Sequence, residues 1–190
     1  MVDAEGTPLL VAGGGGAACG TQHGNNLNAT DGGQGRVETA GGTAGVASQY
    51  VGAGGQNGAG GLSGNGSAQG SAGGGLNGDG QDGQKSCGET SGGKSFQAGL
   101  RGGETDGNVQ YCEGPDLGNG RFGGGGGASL AGPGGGYSGG GSAGNWADHS
   151  GYGGSTNAGA EQVNTTGGAR HVTQGAHLLA DGSIKINKQE

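Results

Sequence analysis

The chain has 190 residues, of which 59 are glycine and only twenty-two are Leu, Ile, Val or Phe, and its formal net charge is -7. So few large apolar side chains exclude an aliphatic core, and three prolines without a strict Gly-X-Y period exclude a collagen triple helix. Eight Lys plus Arg against fifteen Asp plus Glu oppose phosphate, so nucleic acid is not an expected partner.

No run of about 18 apolar residues is present, so no segment is expected to cross a bilayer. Asp3 and Glu5 stand where a secretory leader would carry positive charge, and the apolar stretch that follows is short. That stretch, TPLLVA at 7–12, is bounded by Pro and Gly and predicts a buried strand. Sequons at Asn28, Asn65 and Asn164 are candidate glycosylation sites and favour an extracellular address.

From Gly52 onward a period of three sets in. Glycine recurs at Gly55, Gly58, Gly61 and Gly64, gives way to Ser67, and returns at Gly70 and Gly73. A second series runs through Gly123, Gly126, Ser129, Gly132, Gly135, Ser138, Gly141 and Gly144. A polyproline-II helix has three residues per turn and no internal hydrogen bonds, so every third residue lies on one face. Glycine on that face lets a neighbouring helix approach until N–H and C=O groups bond between segments. Ordering glycine is entropically expensive, so such a lattice requires several neighbours per helix and predicts a compact bundle. Leu62, Leu76, Leu130 and Tyr137 break the triplet and are expected to point outward or cap the bundle.

Between the two series lies a cap segment, 87–112. Within it GKSFQAGLR (93–101) predicts one short helix, with Phe96 and Leu100 four apart on one face, as a cap or a contact surface. Cys87 and Cys112 bracket this segment and admit a disulfide that leaves Cys19 over; the alternative is three small buried side chains. Tyr137, Trp146 and Tyr152 lie close together in a chain with few aromatics, either as anchors of a binding patch or as a roof over the bundle. The C-terminal HLLADGSIKIN (177–187) reads as a hairpin turning at Asp181 and Gly182, and pairing of the two termini would give a small β base.

Catalytic and metal signatures are weak. G-x-S-x-G occurs around Ser138 and Ser142 without a strand-to-helix context, and no βαβ unit surrounds the G-x-G-x-x-G matches. His23, His149, His171 and His177 lack metal-ligand spacing and read as surface residues. NGDGQDG (77–83) lacks the EF-hand order and reads as an exposed acidic turn. No enzyme activity, metal or cofactor is expected.

Three segments in order, LLVAGGGGAACG (9–20), GGKSFQAGLRGG (92–103) and RFGGGGGASLAGPGGGYSGGG (121–141), resemble the extracellular glycine-rich domain of the anaplastic lymphoma kinase and leukocyte tyrosine kinase receptors. ADGSIKIN (180–187) resembles that domain's closing strand. The resemblance implies a bundle of glycine polyproline-II helices on a β-rich module that recognises a protein ligand outside the cell, and it implies no kinase. Ser129 stands where the receptors tend to carry cysteine, and Ala18 and Cys19 where they place tyrosine, so disulfides and ligand surface do not carry over.

The expectation is therefore a single glycine-rich domain over 1–190, mostly neither α nor β. Terminal strands would lie in 1–12 and 169–190, with a polyglycine bundle over 13–168. Its expected role is non-enzymatic extracellular recognition of a protein ligand, and the alternative is a self-assembling subunit of a filament or adhesive matrix, bonding to further copies through open edges. A flat ice- or carbohydrate-binding face would need regularly spaced Thr, which the outward positions do not supply.

Overall fold

A computed structural model describes residues 3–5, 7–14, 16, 39–43, 51–64, 70–83, 90–105, 119–120, 123–127, 132–142, 151 and 153–157. Among them there is no helix, and the regular strands are β1 (Leu10–Val11) and β2 (Thr156–Asn157), an antiparallel pair with Leu10 opposite Asn157 and Val11 opposite Thr156. The apolar run at 7–12 thus contributes a strand, but one of two residues that is half-buried rather than buried, with Leu9 exposed. The expected C-terminal hairpin and the strand region 169–190 lie outside the described residues.

What joins the rest is main chain bonded to main chain. Along 71–76, the Ser71 and Gly74 amides donate to Gly127 and Gly124, those of Ala72 and Gly75 to Gln81 and Gly78, and those of Gly73 and Leu76 to Gly140 and Tyr137. Three successive amides therefore address three different neighbours, and the fourth returns to the first. A β-strand sends its bonds to two sides with a period of two, and an α-helix bonds within itself, so neither describes this stretch.

Carbonyls of the same stretch accept from three further segments: Ala72 and Gly75 from Gly93 and Phe96, Gly73 from Gly61, and Gly74 from Gly136. Residues 71–76 are thus surrounded by six neighbouring stretches. The interval of three recurs elsewhere, with Gly52 and Gly55 donating to Ser142 and Gly139, Gly80 and Gly83 to Gly93 and Thr90, and Gly134 and Tyr137 to Gly151 and Gly154. Some of these pairs run parallel and others antiparallel.

Packing density explains which residues occupy the centre. Positions 71–75 (SAGGG), 133–136 (PGGG) and 138–142 (SGGGS) are buried at every residue, because a stretch with neighbours all round has no face left for a side chain. A Cβ at Gly73 would overlap the Gly134 carbonyl oxygen, and one at Gly139 would overlap that of Gly73. Pro133, which has no N–H, only accepts, from Gly126. Peripheral stretches keep glycine at intervals and expose the residues between, as Gly52 and Gly55 do with Ala53 and Gln56.

The long triplet series do not run through as single faces. Chain reversals interrupt them, so Gly55 donates to Gly139 whereas Gly61, beyond the turn at 56–59, donates to Gly73. Leu62 is exposed and Leu76 and Tyr137 are half-buried; Leu130 lies outside the described residues.

Candidate functional site

The reversals at 56–59, 75–78, 95–100, 123–124 and 136–138 are bonded to one another and make one end of the bundle. Each has its own local cause. At 56–59, Asn57 (φ 53°) and Gly58 (φ 84°) both take left-handed backbone and Ala59 N–H donates to Gln56 C=O at 2.9 Å, a type I′ turn. Asn-Gly is the pair that this geometry favours, since glycine lacks the Cβ that makes positive φ unfavourable.

The 95–100 reversal corrects the helix expected over 93–101. Its hydrogen-bonded turn spans only 96–99. Ser95 opens it as a cap, its Oγ accepting the Ala98 N–H at 3.3 Å. Gly99 (φ 95°) closes it at once: Gly99 N–H donates to Phe96 C=O and Leu100 N–H to Ser95 C=O, the pairing of a Schellman motif. One turn is all that fits between cap and stop, and Phe96 and Leu100 do not sit on successive helical turns.

Sequence singled out Phe96, Leu100 and Tyr137, and all three belong to this end. Phe96 N–H donates to Gly75 C=O, and the next residue, Leu76, donates its N–H to Tyr137 C=O. Leu100 C=O accepts from both Gly123 and Gly124. Phe96 is 37 % exposed, and Leu76, Leu100 and Tyr137 are half-buried. Trp146 and Tyr152 lie outside the described residues, as do Cys19, Cys87, Cys112, the four histidines and the sequons at Asn28, Asn65 and Asn164.

Asn77 and Gln97 are the residues that sequence reading missed. Asn77 N–H donates to Gly58 C=O at 2.8 Å, and Gln97 Nε2 donates to Asn77 Oδ1 at 3.4 Å, so three reversals meet at one exposed amide. Asn-Gly at 57–58 and again at 77–78 was the available signal for two turns; nothing in the sequence said that they would adjoin.

The acidic stretch at 77–83 supplies fasteners. Asp79 Oδ1 accepts the Ser95 N–H at 2.8 Å and Asp79 Oδ2 the Lys94 Nζ at 3.0 Å, while Asp82 Oδ1 accepts the Gly92 N–H at 2.8 Å. No group of three His, Cys, Asp or Glu positioned for a metal occurs among the described residues. The Ser95 amide, more than Lys94, holds the Asp79 carboxyl below its ordinary value of 3.8, against the opposing effect of burial. A depressed folded-state value contributes stability above the unfolded pKa that is lost as pH falls through the folded one. Thermal melts from neutral pH to below 3.8 are expected to fall less steeply for Asp79→Asn than for the wild type.

Ser138 and Ser142, the centres of the two G-x-S-x-G matches, are fully buried. Ser138 Oγ accepts the Gly58 N–H at 3.1 Å, and Ser142 Oγ donates to Gly70 C=O. Both hydroxyls are committed to main chain, which is a structural use.

Among the described residues no helix is long and apolar enough to cross a membrane. No family model, no curated protein and no solved structure matches the chain.

Proposed function

We propose that this chain is a non-enzymatic extracellular recognition module whose turn end contacts a protein ligand. The carrying observation is that Phe96, Leu100 and Tyr137, picked out by sequence, are gathered with Leu76 at one end of a main-chain hydrogen-bonded lattice. Large side chains on a preorganised support lose little freedom on binding, which is what a contact surface requires. We further propose that the lattice segments are glycine polyproline-II helices, a reading supported by hydrogen bonds that return to the same neighbour every third residue. The resemblance of 9–20, 92–103 and 121–141 to the glycine-rich domain of the anaplastic lymphoma kinase and leukocyte tyrosine kinase receptors supports the extracellular address and the role.

The test is binding of the labelled full chain to an array of purified extracellular proteins, followed by substitution. Phe96→Ser with Tyr137→Ser is expected to weaken any selective interaction at least about tenfold, as loss of a hot-spot pair does. Leu62→Ser, three residues along the chain from the reversal at 56–59, is expected to leave it unchanged. Absence of selective binding, together with concentration-dependent growth in sedimentation velocity, would reject recognition in favour of the self-assembling subunit.

A further inference from the structure

Four Asn-Gly pairs occur in the chain, and three of them, 57–58, 77–78 and 119–120, are described. Asn-Gly is the dipeptide most prone to spontaneous imide formation, because glycine leaves the following amide nitrogen unhindered. In each pair the reacting nucleophile is the glycine main-chain nitrogen, so what holds that nitrogen decides the rate. Asn57, Asn77 and Asn119 are all exposed, so exposure does not separate them.

Their glycine amides differ. Gly58 N–H donates to the buried Ser138 Oγ at 3.1 Å, and Gly120 N–H donates to Gly103 C=O at 2.8 Å. Gly78 N–H meets no acceptor among the described residues, although Gly78 C=O takes the Gly75 amide. Freeing the glycine nitrogen costs a hydrogen bond at 57–58 and 119–120 and none at 77–78, and turning the side chain costs Asn77 one contact, from Gln97 Nε2 at 3.4 Å, against the two from Thr105 that hold Asn119 Oδ1.

We infer that Asn77 is a self-modification site, at which the folded chain converts its own side-chain amide to a carboxylate while Asn57 and Asn119 are protected. Solvent base removes the Gly78 N–H proton and the nitrogen attacks Asn77 Cγ. The new N–Cγ bond replaces the Cγ–Nδ2 bond, and Nδ2 leaves as ammonia after taking a proton from water. Water then opens the resulting succinimide at either carbonyl, giving aspartate or isoaspartate, with no change of oxidation state. The product adds a negative charge between Leu76 and Asp79. In the isoaspartate form it also lengthens the main chain by one methylene, between the Asn77 amide bonded to Gly58 and the Gly78 carbonyl bonded to Gly75. This inference does not depend on the recognition reading, since it concerns chemistry of the chain alone.

The test is incubation of the folded full chain at mildly alkaline pH, with peptide mapping over time and enzymatic methyl labelling of isoaspartate. Asn77 is expected to convert about two- to tenfold faster than Asn57 and Asn119, the factor that one hydrogen bond's net stabilisation yields. In urea the three rates should converge. Gly78→Ala should slow conversion at 77 alone, and Ser138→Ala, which frees the Gly58 amide, should raise the Asn57 rate toward that of Asn77. Should Ser138→Ala not fold, the wild-type rate ratio and Gly78→Ala decide the matter. Equal rates at 57, 77 and 119 in the folded chain, or an Asn77 that converts only in urea, would overturn the inference.

Discussion

Gly73→Ala is expected to cost at least about 3 kcal/mol, a large part of the roughly 5 to 15 kcal/mol that holds an ordinary domain together. The added methyl meets the Gly134 carbonyl oxygen at overlapping distance, and that oxygen belongs to main chain that is itself buried. Overpacking alone costs about 1 to 3 kcal/mol. Relief requires displacing the 71–76 stretch, and each main-chain bond lost on the way removes about 0.5 to 1.5 kcal/mol net. Those at risk include Gly73 N–H to Gly140 and Gly61 N–H to Gly73. The matched control is Gly14→Ala, whose methyl would lie 3.5 Å from the Gly135 carbonyl oxygen in ordinary contact. That variant is expected to be neutral or stabilised by up to about 1 kcal/mol, because alanine has fewer unfolded conformations to lose. Circular dichroism melts of the two proteins measure the difference. Indistinguishable midpoints would mean that backbone proximity is not the cohesive term.

Ser138→Ala is expected to destabilise by about 1 to 3 kcal/mol, the cost of leaving a buried donor unsatisfied. The donor is the Gly58 N–H of the type I′ turn, which bonds to Ser138 Oγ at 3.1 Å in a site closed to water. Ser91→Ala is the comparison: Ser91 Oγ accepts the Glu104 N–H at 2.7 Å in an exposed setting, where water replaces the hydroxyl. Its expected loss is below about 1 kcal/mol. Denaturant unfolding of both variants gives the two figures directly, and an equal loss would remove burial as the reason that serine, rather than alanine, occupies position 138.

The two substitutions probe the same economy of space. Alanine is tolerated within the lattice at Ala72, which is fully buried, so a methyl group is not excluded in general. Whether it fits depends on which direction the Cβ takes at each residue. The three fully buried serines among the described residues share a second property, a hydroxyl that meets main-chain groups. Ser71 Oγ lies 2.5 Å from the carbonyl oxygens of both Ser91 and Gly127, and Ser142 Oγ donates to Gly70.

Several local features were written in the residues themselves. TPLLVA marked β1, Asn57-Gly58 carries its own turn type and GGG runs identified stretches with no room for side chains, whereas GKSFQAGLR suggested a helix that Ser95 and Gly99 cut to a single turn. These are short-range consequences of steric and hydrogen-bonding preferences, and they hold whatever the chain packs against. The exposure of Leu62 was equally legible, because a branched side chain has no place between close backbones.

Sequence by itself determined that too few large apolar side chains are present to supply the interior and that glycine recurs at intervals of three. Only the tertiary structure decided which stretch adjoins which, that 71–76 lies among six others, and that the reversals carrying Phe96, Leu100 and Tyr137 meet around Asn77. The reason is that glycine has no side chain to distinguish one neighbour from another. Main-chain donors and acceptors are chemically identical along the chain, so a pairing between distant segments leaves no pattern in either one, and it is fixed only when all the segments are in place together.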